Sequence, residues 1–281
     1  HGDLATNVAM MHAKAAQIAP RALAEKLIEH LPTSETIEAV EIAAPGFINV
    51  RLAKGATFEP VVRCLTERDQ FGLHPTTEER VQVEYVSANP TGPLHVGHGR
   101  GAAYGATLVN LLKARGYQVK AEYYVNDAGR QMNILAVSVY LRYLETTGEA
   151  IVFPSAGYQG QYIAELGDTL HENTRNSIAI AFNDLIKGVT PDSETTKDAH
   201  IDGLIQSAKE ALGDRWNLPF NLALQSILED IQDDLSEFGA NFDQWFSEKS
   251  LVTSGEIDQA IATLEERGYL FEQDGALWFR S

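Results

Sequence analysis

The stretch Val83–Tyr117, VEYVSANPTGPLHVGHGRGAAYGATLVNLLKARGY, constrains this chain more than any other. Together with the three residues before it, it starts as an alternating apolar run (RVQVEYV), a strand pattern. Pro90 and Pro93 cannot continue a strand, so the chain must loop before the long helical pattern that starts near His95 and closes at Gly116. YQVKAEYYVND then reads as a second strand. Strand, loop, helix and strand with a single crossover form a parallel βαβ unit, whose ligand lies beyond the carboxyl ends of the strands. His95 and His98 fall at that place, three residues apart and so on one face of the first helical turn. Gly97 and Gly99 leave the backbone beside them open to a bulky ligand.

Charge agrees locally and disagrees globally. The 281-residue chain carries a formal net charge of −17, which excludes a nucleic-acid sleeve along its whole length. Between Val81 and Arg130, however, the only acids are Glu84, Glu122 and Asp127, against Arg100, Lys113, Arg115, Lys120 and Arg130. An anionic ligand fits this lean, and so does a solvated helix face. No apolar run reaches membrane-spanning length, so no membrane partner is expected. The single Cys64 cannot build a disulfide framework, which suits a reducing cytoplasm, and no structural zinc motif can be assembled.

Upstream, Thr6–His30 has helical apolar spacing broken by Pro20, IEAVEIAAPGFINVRLA reads as two strands around Pro45–Gly46, and a helix is expected from Phe58 to Arg68. The polar connector FGLHPTTEER separates a small α+β domain, residues 1–78, from an α/β domain, residues 79–281. Within the latter, a mostly helical insertion spans about 135–218. NLALQSILEDIQDDLSEFGA is an amphipathic helix closed by Gly239, FDQWFSEKS a strand with its exit loop, and GYLFEQDGALWFRS a hairpin turning at Asp274–Gly275.

Two imidazoles, helix-start amides and a metal-bound nucleotide together suit nucleotidyl transfer, in which charge on the α-phosphate must be held most tightly in the transition state. The same histidines could equally cap or pack a helix. The longer strings narrow the choice. HVGH resembles the HIGH signature of class I aminoacyl-tRNA synthetases, and SANPTGPLHVGH followed by YYVNDAGRQ resembles the arginyl-tRNA synthetase family. HGDLATNVAM and APGFINVRL resemble that family's N-terminal domain, GYQGQYI its inserted helical part, and EFGANFDQWFSEKSL its later core.

The resemblance implies a Rossmann-like class I catalytic core, first half with helical insertion, behind a small α+β domain. It implies activation of L-arginine by ATP, accompanied by Mg2+ with no metal site in the protein, and transfer to tRNA(Arg) by a monomeric cytoplasmic enzyme. His95 and His98 become catalytic, with Pro93 and Gly97 beside them at ATP. Glu84, Asn89 and Glu248 become arginine ligands: Glu84 on the guanidinium or ammonium, Asn89 on the amino and carboxyl groups, and Glu248 on the guanidinium fork, where bidentate geometry selects against lysine. Asn126, Asp127 and Gln131 become site walls, and Phe47 and Asn49 tRNA contacts. Read as residues alone, Glu84 could face solvent, Glu248 could be a surface-loop glutamate, Asn126–Asp127 could cap a helix, and Phe47 could lie in the small core. Tyr158, Gly160 and Tyr162 read as packing residues; Trp216, Trp245 and Trp278 as core and hairpin residues. The KMSK-type loop and anticodon-binding domain of that family have no counterpart before Ser281, so this chain reads as an N-terminal fragment expected to form no adenylate by itself. A non-catalytic tRNA-binding paralogue and a free-standing HxGH adenylyltransferase are the alternatives.

Overall fold

The computed structural model describes residues 2–280 and divides them into two compact units, up to His74 and from Pro75 onward. In the first unit, β1 (Leu4–Thr6), α1 (Val8–Ala16), α2 (Pro20–Glu29), β2 (Ile37–Ala43), β3 (Phe47–Leu52) and α3 (Glu59–Glu67) follow in order. The three strands form an antiparallel sheet in the order β1-β3-β2. The break at Pro20 starts α2, where a missing N–H costs nothing. Ile42 pairs with Ile48, and these two with Val40 pack on Ala9 and Ala24. Strand alternation then settles the position of Phe47. Ile48 is buried at 4% exposure, so Phe47 lies on the outer face at 37%. Phe47 is therefore not a core residue.

The second unit is built on three parallel strands in the order β4-β5-β6, namely β4 (Arg80–Glu84), β5 (Gln118–Val125) and β6 (Gln244–Ser247). Helix α4 (Val96–Ala114) makes the crossover from β4 to β5 and ends at Gly116, whose φ of 90° reverses the chain. The crossover from β5 to β6 is long and helical: α5 (Arg130–Thr146), α6 (Gln161–Thr174), α7 (Phe182–Leu185), α8 (Lys197–Leu212) and α9 (Asn217–Glu237). Every residue from Ile134 to Leu141 is buried, because α6, α8 and α9 all pack on α5. Ser138 is the polar member of that run. It donates to the Ile134 carbonyl (2.7 Å) and accepts from Tyr158 N (3.0 Å). Trp216 is buried, Trp245 stacks on Tyr123 at 4.2 Å between centroids, and Trp278 is exposed.

After β6 the expected exit loop is instead a helix, α10 (Glu248–Ser254), followed by α11 (Glu256–Glu266) and the hairpin β7 (Leu270–Gln273) and β8 (Ala276–Phe279). Asp274 and Gly275 both have positive φ, 53° and 75°, as a two-residue hairpin turn requires. Among the described residues no helix is long and apolar enough to cross a membrane.

Candidate active site

Alternation along the parallel sheet sorts its residues into two faces. Ala121, Tyr123 and Val125 of β5 are buried in the core, while Gln118, Lys120, Glu122 and Tyr124 lie on the opposite face. In β4, Val83 packs against the core, so Gln82 and Glu84 share the second face with Tyr124. Glu84 is exposed and not sunk among the valines, so desolvation gives no reason for it to need a partner. Gln82 Nε2 instead donates to the buried Glu122 Oε1 at 2.8 Å.

The chain leaves β4 through two consecutive non-glycine residues with positive φ, Val86 (64°) and Ser87 (42°). A β-branched residue there is strained. Neighbours hold it in place: Ser87 N donates to the Tyr85 carbonyl (2.9 Å), and Tyr124 N donates to Ser87 Oγ (3.1 Å). Tyr123 Oη donates to the Ala88 carbonyl at 3.0 Å, and burial pushes this phenol up to about 12. Tyr162 Oη donates to the Thr91 carbonyl at 2.7 Å. Three tyrosines from β5 and α6 thus fix the loop that presents Asn89, Pro93 and the histidines. Tyr162 is a clamp on that loop as well as a packing residue.

His95 is the N-cap of α4. Its Nδ1 accepts from Gly97 N (3.1 Å), and His98 Nδ1 accepts from His95 N (3.2 Å), a reciprocal cap made of two imidazoles stacked 3.8 Å apart. Each neutral ring accepts through Nδ1 and therefore carries its proton on Nε2. Capping and donation are compatible: the same rings close the helix end and keep an Nε2–H to offer an anion. Burial first, and the neighbouring His95 second, hold His98 below the ordinary histidine value. A Cβ at Gly97 would stand 2.9 Å from His95 Cε1, so a larger residue there would have to push the capping ring aside. His95 also borders a cavity of about 260 Å³ with Leu94, Gly99, Leu235 and Phe238, and Pro93 lines one of about 430 Å³ with Tyr162, Glu165 and Asp230.

At the carboxyl ends of β4 and β5 the side-chain amides form a relay. Asn89 Nδ2 donates to Gln131 Oε1 (3.0 Å), and Asn126 Nδ2 donates to Asn89 Oδ1 (3.1 Å). Reversing the Asn126 amide lets it donate to Glu248 Oε2 at 2.5 Å and to the Ala128 carbonyl at 3.3 Å, relieving an oxygen–oxygen approach at the carboxylate. We take this second orientation; Asn89 and Gln131 reverse with it, and the relay then runs from Gln131 through Asn89 and Asn126 to Glu248. Asp127 is turned elsewhere: its two oxygens accept from Ser247 Oγ (2.6 Å) and Lys249 N (2.8 Å). Glu248 is not in a loop but is the first residue of α10.

Tyr124 feels both glutamates. Its phenol is raised first by desolvation, then by the charge of Glu248 and a hydrogen bond to it, and further by Asp127 and Glu84. Glu84 and Glu248 therefore both act on one phenol. Tyr124 was absent from the sequence-derived site, although the alternation of β5 against Glu84 carries the signal for it. Ser87 and Ser247 had no such signal. Among the described residues no hydrogen bond joins the histidine pair to the amide relay, Phe47 and Asn49 belong to the other unit, and no group of three or more His, Cys, Asp or Glu is disposed to hold a metal ion.

With this geometry in view, similarity to known proteins becomes informative. Residues 1–52 match the arginyl tRNA synthetase N terminal domain, and residues 60–153 the catalytic domain of class I (R) tRNA synthetases. The whole chain is 48% identical to the arginine–tRNA ligase of Psychrobacter cryohalolentis and 49% identical to that of Hydrogenovibrio crunogenus. The chain belongs to the arginyl-tRNA synthetase family. It spans about half the length of the curated relatives it matches, 48% and 49% of these two. The fold is that of the Thermus thermophilus arginyl-tRNA synthetase, with a TM-score of 0.60 over 98% of this chain and 41% of that one, at 24% identity. The class I fold inferred from HVGH and its flanking strands is the one present.

Proposed function

We propose that this chain supplies the arginine-recognition and histidine-bearing parts of an arginine–tRNA ligase. The enzyme activates L-arginine with ATP to arginyl-adenylate, releasing pyrophosphate, and passes arginine to tRNA(Arg). The supporting observation is that Glu84 shares a sheet face with Tyr124 while Glu248, at the start of α10, hydrogen-bonds the same phenol and is reached by the Asn89–Asn126 relay. Two carboxylates and a phenol suit a guanidinium, a flat cation with several N–H donors, better than a primary ammonium.

In this reading the arginine carboxylate attacks the α-phosphorus, and the Nε2–H groups of His95 and His98 meet the charge that builds on the phosphate oxygens. Preset tautomers mean that no proton has to be rearranged at that moment. Mg2+ would arrive with ATP and neutralise the leaving pyrophosphate. Asn89 would orient the amino-acid end of the substrate. Phe47 and Asn49, on the open face of the small sheet, would contact tRNA, the aromatic ring by stacking on an unpaired base.

The deciding experiment is arginine-dependent ATP–pyrophosphate exchange by the full-length gene product, with and without tRNA(Arg). His95→Ala and His98→Ala should each cut the exchange rate by about a hundredfold with little change in the KM for ATP. Glu248→Gln should raise the KM for arginine and leave that for ATP alone. Exchange driven by another amino acid, or a histidine effect confined to the KM for ATP, would overturn the reading.

A further inference from the structure

Glu248 opens a short helix that has little else to hold it. α10 runs for seven residues, buries none of them, and has no cap from its own N-cap side chain. A helix this short is marginal by itself. Its cap comes from 120 residues away. Asp127, two positions past the residue that pairs with Ser247, is 6% exposed, and a carboxylate that buried is tolerated only when both oxygens are matched. They are: one accepts from Ser247 Oγ, the other from Lys249 N. Lys249 is the second residue of α10, the position whose N–H a capping side chain normally satisfies. One carboxylate therefore grips the residues on both sides of Glu248 without touching the site itself.

We propose that Asp127 is a positioning residue for substrate choice, clamping the start of α10 so that Glu248 stands beside Tyr124 and Asn126. This rests on the reading of Glu248 as a guanidinium ligand. Lys249, the other tether of this turn, places Nζ 5.3 Å from the centre of the Phe220 ring, and that contact cannot set the backbone at Glu248. Loss of the clamp lets the first turn fray, and a carboxylate displaced by about an ångström loses most of its bidentate geometry.

The test is steady-state exchange kinetics on the full-length gene product, with thermal melting alongside. Asp127→Ala should raise the KM for arginine about a hundredfold while the KM for ATP changes less than about threefold. Asp127→Asn should recover most of that loss, because its carbonyl can still accept from Lys249 N and its amide can donate to Ser247 Oγ. In a Glu248→Gln background, Asp127→Ala should add nothing, since it acts through Glu248. Should Asp127→Ala fail to fold, Ser247→Ala carries the test, with the KM for arginine raised about fivefold. An unchanged KM for arginine in Asp127→Ala (or in Ser247→Ala, if that is the variant left) while Glu248→Gln raises it overturns the clamp alone, as does full additivity in the double variant. An unchanged KM in Glu248→Gln overturns the arginine reading, and the clamp with it.

Discussion

Replacing Gly105 with Ala tests the packing that places α4, and with it the histidines, over the sheet. A Cβ at Gly105 would overlap Cβ, Cγ and Cδ2 of Tyr85, the root of that side chain and not its flexible end. The ring has nowhere to retreat. It is 9% exposed, stacks on Phe242 at 4.3 Å, and donates from Oη to the Asn241 carbonyl at 3.1 Å. Overpacking of this kind costs about 3 kcal/mol, the upper part of its usual range. Against it stands a gain of about 1 kcal/mol for alanine over glycine inside a helix. The net loss of roughly 2 kcal/mol should lower the Tm of the unit containing α4 by about 4–8 °C for a unit of this size. Gly101, one turn earlier in the same helix, is the control: a Cβ there meets nothing within 4 Å, so Gly101→Ala should raise the Tm slightly. Calorimetry of both variants against the parent chain measures the difference. Gly105→Ala melting at or above Gly101→Ala would refute the close approach of α4 to β4.

His98 is held below the ordinary histidine value, so the unfolded chain takes up its proton at the higher pH. Stability from this residue is intact above the unfolded value and falls as pH drops from there toward the folded one. An NMR titration should find the His98 midpoint below 6.5 and, because burial is the larger cause, only partly restored in His95→Ala; a midpoint above 6.5 refutes this. Tyr124→Phe removes a hydrogen bond to the Glu248 carboxylate, which solvent screening at this open edge reduces to about 1 kcal/mol, so the KM for arginine should rise roughly fivefold with the KM for ATP unchanged, and equal KM values would exclude Tyr124 from the site. Phe47→Ala should leave the Tm within about 2 °C, since the ring lies outside the core, while weakening tRNA binding about tenfold in a filter-binding assay; a large Tm loss with unchanged tRNA affinity would reverse that assignment.

Much of the architecture was legible in the residues because its signals are local. Prolines keep the stretch between β4 and α4 a loop, glycines end α4 and α9 at positive φ, and alternation marks β2, β3, β4 and β5. Each depends on backbone sterics or on a side-chain period, both present in the chain before it folds. The family resemblance was local too, carried by HVGH and its flanking strings. What the sequence could not decide was pairing across distance. β1 has three exposed residues and no alternation of its own, and exists because β3 offers it an edge. Glu248 reads as a loop residue until Asp127 arrives from beyond the end of β5 to cap the turn it begins. Phe47 and Ile48 are equally apolar, and only the position of α1 and α2 decides which one is buried. Tyr124 looks like another strand aromatic until the sheet sets Glu84 beside it and α10 brings Glu248. In each case the energy comes from contacts between residues far apart in the chain. The sequence alone determined most of the elements and the family; the tertiary structure decided β1, α10 and which side chains meet, because only it brings those distant partners together.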